Sequence, residues 1–128
     1  MQKAFLSSML ALFLVAAPGL QADPVDGEAT DEIRAMVIDL SCKVVHDLSG
    51  EDHRECAQVC ADQGVPLAFL AEDGTIYHPV SQQMPSSGDE INAQLREHAE
   101  RNVVVEGQIV ERGGSQGIII ENVRAEEQ

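Results

Sequence analysis

The sequence predicts a β-rich α+β domain of five strands, with a cysteine-bearing helix inserted between the first two. Three observations carry this expectation: strict alternation of residue character from residue 32 onward, apolar β-branched runs separated by glycine turns, and two segments that open with helix start signals. Their order along the chain is strand, helix, strand, strand, helix, strand, strand.

In the first strand Arg34, Met36, Ile38, Leu40 and Cys42 fall on one face, and Ala35, Val37, Asp39 and Ser41 on the other. The strand is expected to end at Cys42, with that side chain pointing the same way as Ile38 and Leu40. Ser49-Gly50-Glu51-Asp52 has the form of a capping box, so a helix is expected over 51–63, stopped by Gly64 and Pro66. The runs 65–70 and 75–80 flank Ala71-Glu72-Asp73-Gly74, a hairpin signal. The Ser-, Gln- and Pro-rich stretch 79–88 reads as an exposed loop. Ser87 and Glu90 form a second capping box, and Ile91, Leu95 and His98 or Ala99 carry helical spacing towards Asn102. Two last strands fit 103–112 and 116–124, joined by Gly113-Gly114-Ser115. With the first helix set aside, this is the element order of the five-stranded OB barrel. An OB-like barrel is therefore expected over 32–128, and a generic α+β sandwich is the alternative.

The N-terminus carries a different signal. Lys3 precedes an apolar run over 4–17, and Pro18-Gly19-Leu20-Gln21-Ala22 follows with a small residue placed for cleavage, as in a secretory signal peptide over 1–22. Residues 23–31 read as a flexible leader. A spanning helix needs roughly 20 apolar residues, which no later stretch supplies, so no membrane span is expected after cleavage. The periplasm or the outside of the cell is the expected location. With 22 acidic against 8 basic residues the net charge is −14, which repels phosphate backbones. Beyond residue 22 the only aromatics are Phe69 and Tyr77, so stacking platforms for nucleic acid are missing as well.

The chemistry is concentrated in one segment. Cys42-x3-His46-x6-His53-x2-Cys56-Ala57-x2-Cys60 holds all 3 cysteines and two of the 4 histidines. On a helix, His53, Cys56 and Cys60 share one side, and Cys42 approaches from the preceding strand. Three thiols with an imidazole suit Zn(II) or Cu(I), and Cys42, His53, Cys56 and Cys60 are the expected ligands, with His46 a substitute for His53. An oxidising compartment also pairs thiols. Cys56 and Cys60 lie four apart on a helix with Cβ atoms about 5–6 Å apart, wider than the ~3.8 Å of a disulfide. Any cross-link is therefore expected to join Cys42 to the helix.

Cys56-Ala57-Gln58-Val59-Cys60 with a separate histidine resembles the copper site of the Sco family of exported copper chaperones, whose thioredoxin-like strand order differs from that read here. The chain past residue 22 also resembles a group of uncharacterised exported bacterial proteins. That resemblance runs through His53-x2-Cys56-Ala57-x2-Cys60-x3-Gly64-x-Pro66-Leu67, Asp73-Gly74-x-x-Tyr77 and Val103-Val104-Val105-Glu106-Gly107, and implies export and an OB-like core. No Ser/His/Asp set, phosphate loop or paired carboxylate motif stands out, so no enzyme is expected. The functional expectation is an exported protein that holds copper or zinc, with an envelope metalloprotein or metal-transfer protein as partner. The alternatives are a disulfide-stabilised, non-catalytic binding module and a thiol redox protein.

Overall fold

The computed structural model describes residues 30–127; the expected signal peptide and most of the leader lie outside the described residues. The fold is β-rich and mixed α+β. Its strands are β1 (Asp31–Asp39), β2 (Leu67–Ala71), β3 (Ile76–Pro79), β4 (Asn102–Arg112) and β5 (Ser115–Ala125). They form one sheet that closes into a ring in the order β1-β2-β3-β5-β4. Closure falls on β1, which pairs antiparallel with β2 along one edge and with β4 along the other, so that Met36 faces both Leu70 and Asn102. The short parallel pairing of β3 with β5 completes the circuit, from Tyr77 opposite Gln116 to Pro79 opposite Ile118.

The interior is filled by Ala35 and Val37 of β1, Leu67 and Phe69 of β2, Val103 and Val105 of β4, and Ile118 of β5, with Tyr77 packed against them. Both aromatics of the described chain thus serve the core. Of the two faces read in the first strand, Ala35 and Val37 look inward. Asp39 on the same face is fully buried too, and so is Ile38 on the opposite face, at the end of β1.

The hairpin turn forms as expected, with Gly74 at φ 87° and the Thr75 amide donating to Asp73 Oδ1 at 2.9 Å. The β4–β5 hairpin carries an irregularity: Glu106 pairs with Asn122 and Gly107 with Ile120, leaving Glu121 without a partner. Such a bulge bends a strand and increases its twist, which helps a sheet of this size to close. It also brings Gly107 hard against its neighbour, since a Cβ there would lie 2.3 Å from the Ile119 carbonyl oxygen.

Between β1 and β2 the chain forms two helices where one was expected. They are α1 (Leu40–His46) and α2 (Arg54–Asp62), the latter preceded by a 3-10 turn over Glu51–His53. The first strand therefore stops at Asp39, and Cys42 lies in a helix. The cause is local: the Asp39 carboxylate accepts the Cys42 amide at 2.8 Å, the bond by which an aspartate caps a helix. The helix ends at Asp47, at φ 53°, where the Asp47 and Leu48 amides donate back to the Lys43 and Cys42 carbonyls. The capping box at Ser49 does not form. Gly50, at φ 104°, takes the cap position without a side-chain bond, and the Ser49 hydroxyl accepts from Lys43 Nζ instead. The second box holds in part, because Ser87 Oγ accepts the Asp89 amide at 3.2 Å and starts α3 (Gly88–Leu95).

The helices α2 and α3 are locked by Asn92, which is buried. Its amide donates to the carbonyls of Ala61 and Val65, and its oxygen accepts the Leu67 amide, so one side chain ends α2 and starts β2. Arg96 adds a two-pronged pair to Asp62 at 2.6 and 2.8 Å.

Replacing Gly107 by Ala is expected to lower stability by roughly 1–3 kcal/mol, the usual cost of overpacking. Gly88→Ala, where nothing lies within 4 Å of an added Cβ, is expected to leave it unchanged or slightly raised. Urea denaturation of the two variants checks this, and equal midpoints would show that the hairpin yields at the bulge.

Candidate metal centre

The end of β1, the start of α1 and one face of α2 meet at a single point. There a carboxylate oxygen of Asp39 and the sulfurs of Cys42 and Cys60 all lie within 4.8 Å of one another. Asp39 is fully buried, and the two cysteines are partly exposed. One oxygen of Asp39 caps α1, while Oδ2 has no hydrogen-bond partner among the described residues. A buried carboxylate oxygen is costly without a donor, and the thiols of Cys42 and Cys60 beside it are the groups that can supply one.

All three cysteines are free thiols. Cys56 is exposed and precedes Cys60 by four positions, one turn, on α2. Burial foremost, then the neighbouring Asp39 charge, holds the Cys42 thiol above its ordinary value. Contact with the Asp39 carboxylate foremost, followed by burial and by the same charge, pushes Cys60 up to about 12. Both thiols therefore keep their protons at neutral pH. Ionising them would set like charges beside a buried carboxylate, and a bound cation is what offsets that repulsion.

His53 takes a different position. It is buried beneath the start of α2, with Nδ1 3.7 Å from Glu100 Oε1, and neither ring nitrogen has a hydrogen-bond partner among the described residues. It does not belong to the close-set group of Asp39, Cys42 and Cys60. His46 sits exposed in the last turn of α1.

Glu100 is the residue that holds these parts in register. It is 3% exposed and stands at φ 59°, with its own amide donating to the Val37 carbonyl at 2.7 Å. Its two carboxylate oxygens accept the amides of Asp39, at 3.2 Å, and of Gly50, at 2.7 Å. One side chain thus fastens both ends of the segment that carries α1. Arg54 reinforces the join by donating to the carbonyls of Ala99 and Glu97.

Asp39 and Glu100 are the two residues that sequence reasoning passes over, because an acidic chain places carboxylates near every motif. The signal for Asp39 was its spacing of three residues from Cys42, that of a helix cap. Nothing local marks Glu100.

In the comparisons with known proteins, the chain matches no protein-family model, no curated protein and no solved structure.

Two measurements test this geometry. Glu100→Ala leaves the amides of Asp39 and Gly50 without an acceptor, and is expected to cost roughly 1–3 kcal/mol or more on denaturation, with Glu100→Gln intermediate. The second concerns alkaline pH. The Cys60 proton is held more tightly in the folded chain than in the unfolded one, so the stability it contributes is complete below the ordinary thiol value of 9.0 and is lost as pH rises towards about 12. The reduced, metal-free protein should lose stability over that interval, and Cys60→Ser should lose less. Parallel curves would show that Asp39 does not act on the thiol.

Proposed function

We propose that this protein binds one soft metal cation at the junction of β1, α1 and α2, with Asp39, Cys42 and Cys60 as ligands and Cys56 in the fourth position. The single observation that carries the reading is the buried Asp39 carboxyl group, with one oxygen unpartnered among the described residues and a carboxylate oxygen within 4.8 Å of two thiols. His53 joins the set only by turning its ring away from Glu100. A mixed oxygen and sulfur set favours Zn(II), which accepts both donors. The third sulfur, exposed on Cys56, favours Cu(I) as the second reading.

Partial exposure of Cys42 and Cys60, with Cys56 at the surface, supports exchange with a metal-transfer partner better than a sealed structural ion. The acidic balance raises the local concentration of cations. Export to the periplasm or beyond remains a proposal resting on the N-terminal sequence. Among the described residues no helix is long and apolar enough to cross a membrane. As to fold, we read the closed sheet as an OB-like barrel. The strand order, with β1 paired to both β2 and β4 and β3 parallel to β5, supports this.

The reduced protein should take up one Zn(II) in a competition titration and release protons as it does so, with affinity rising as pH rises. Cys60→Ser should weaken binding by more than the roughly 10–100-fold that loss of an outer hydrogen-bond partner costs. Asp39→Asn, which keeps a good helix cap, should also weaken it. His98→Ala should leave it unchanged. Absence of uptake by the reduced protein, or equal affinity of the Cys60 and His98 variants, would overturn the reading; tighter binding of Cu(I) than its ordinary preference for sulfur explains would favour the second.

A further inference from the structure

The same sulfur cluster carries a second chemistry, which deepens the metal reading and rests on the same approach of Cys42 to Cys60. Cys42 and Cys60 are 18 positions apart in the chain, lie on different helices, and bring their sulfurs within 4.8 Å without a bond between them. A disulfide needs about 2.05 Å, a distance that modest side-chain rotation can close when the backbones already converge. Cys56 and Cys60 are neighbours too, but both belong to the regular helix α2, four residues apart. Their Cβ atoms are therefore about 5–6 Å apart, and joining them would require the helix to break. The Asn92 bonds to Ala61 and Val65 and the Arg96 pair with Asp62 hold that helix at its C-terminal end. The helix α1, by contrast, buries none of its residues, and Cys42 on it is partly exposed, so its side chain has room to rotate.

We infer that Cys42 and Cys60 form a reversible disulfide that closes the metal centre, leaving Cys56 as the one free thiol. The step is an exchange with a disulfide of the small-molecule or protein class, written R–S–S–R. One of the two thiols, as thiolate, attacks a sulfur of R–S–S–R and expels one RS⁻. The other then attacks the mixed disulfide, forms the Cys42–Cys60 bond and expels the second RS⁻. Two protons leave the protein and reappear on two RSH, and two electrons pass to the external disulfide. The oxidised cluster has lost two of its three sulfur donors to a bond, so a cation held by the reduced form is released. Oxidation and metal binding thereby exclude each other.

The experiment treats the full chain, reduced and metal-free, with oxidised glutathione, blocks remaining thiols with a maleimide, and maps the products by mass spectrometry. The expected result is a Cys42–Cys60 cross-linked peptide with the maleimide on Cys56. A Zn(II) titration of that oxidised protein should show uptake lost, and restored once a reductant has been applied and removed. A cross-link through Cys56, or maleimide on all three cysteines after prolonged treatment, overturns the inference. So does a Cys42–Cys60 bond that leaves Zn(II) uptake unchanged. If the reduced protein binds no Zn(II) or Cu(I), the metal reading fails by itself, and the cross-link map still decides whether the disulfide forms. Cys56→Ser, which alters an exposed residue, should keep both the cross-link and its reversal.

Discussion

The buried carboxylate of Glu100 is the constraint on which the rest of the arrangement depends. Its oxygens accept the amides at the two ends of the excursion that leaves β1 and returns to α2, at Asp39 and Gly50. Its backbone is stitched to β1 through Val37, and the neighbouring Arg101 carbonyl accepts the Val37 amide. A charged side chain in such a place is tolerated only because donors surround it. The consequence is geometric: both ends of the excursion are tied to one side chain, and the sulfurs of Cys42 and Cys60 come within 4.8 Å of each other.

Most of the architecture was legible in the sequence, and the reasons are physical. The two last strands were read over 103–112 and 116–124 and are found at Asn102–Arg112 and Ser115–Ala125, because β-branched runs around a glycine turn admit few other structures. The helix read over 51–63 is present, although its first turn is tighter than an α-helix. The failures cluster around Asp39 and Ser49. Alternation continues in the sequence through Cys42, but it cannot reveal that a carboxylate at residue 39 will bond to an amide three residues on. A serine followed by an aspartate reads as a capping box whether or not a distant glutamate has already claimed the next amide.

At the candidate site the cysteines were legible and their company was not. Clustering of thiols is a rare event in a chain with 3 cysteines, so it stands out. Carboxylates are too common here to stand out, yet one of them lies closer to the sulfurs than the histidine that the spacing favoured. A carboxylate in place of an imidazole makes the close-set group of Asp39, Cys42 and Cys60 a mixture of oxygen and sulfur. It also places the Cys42 and Cys60 thiols beside a buried carboxyl group that, together with burial, holds both above the ordinary thiol value.

The helix α1 has a further consequence. It buries no residue and is held by its two caps, by a Lys43–Asp47 pair at its surface, by the Leu40 amide on the Pro66 carbonyl and by the Glu100 bonds at Asp39 and Gly50. Elements of this kind open locally at far less free energy than a closed sheet. Cys42 travels with α1, whereas Cys60 stays on a helix anchored by Asn92. Local opening of this seven-residue helix would part the sulfurs of Cys42 and Cys60 without disturbing the closed sheet.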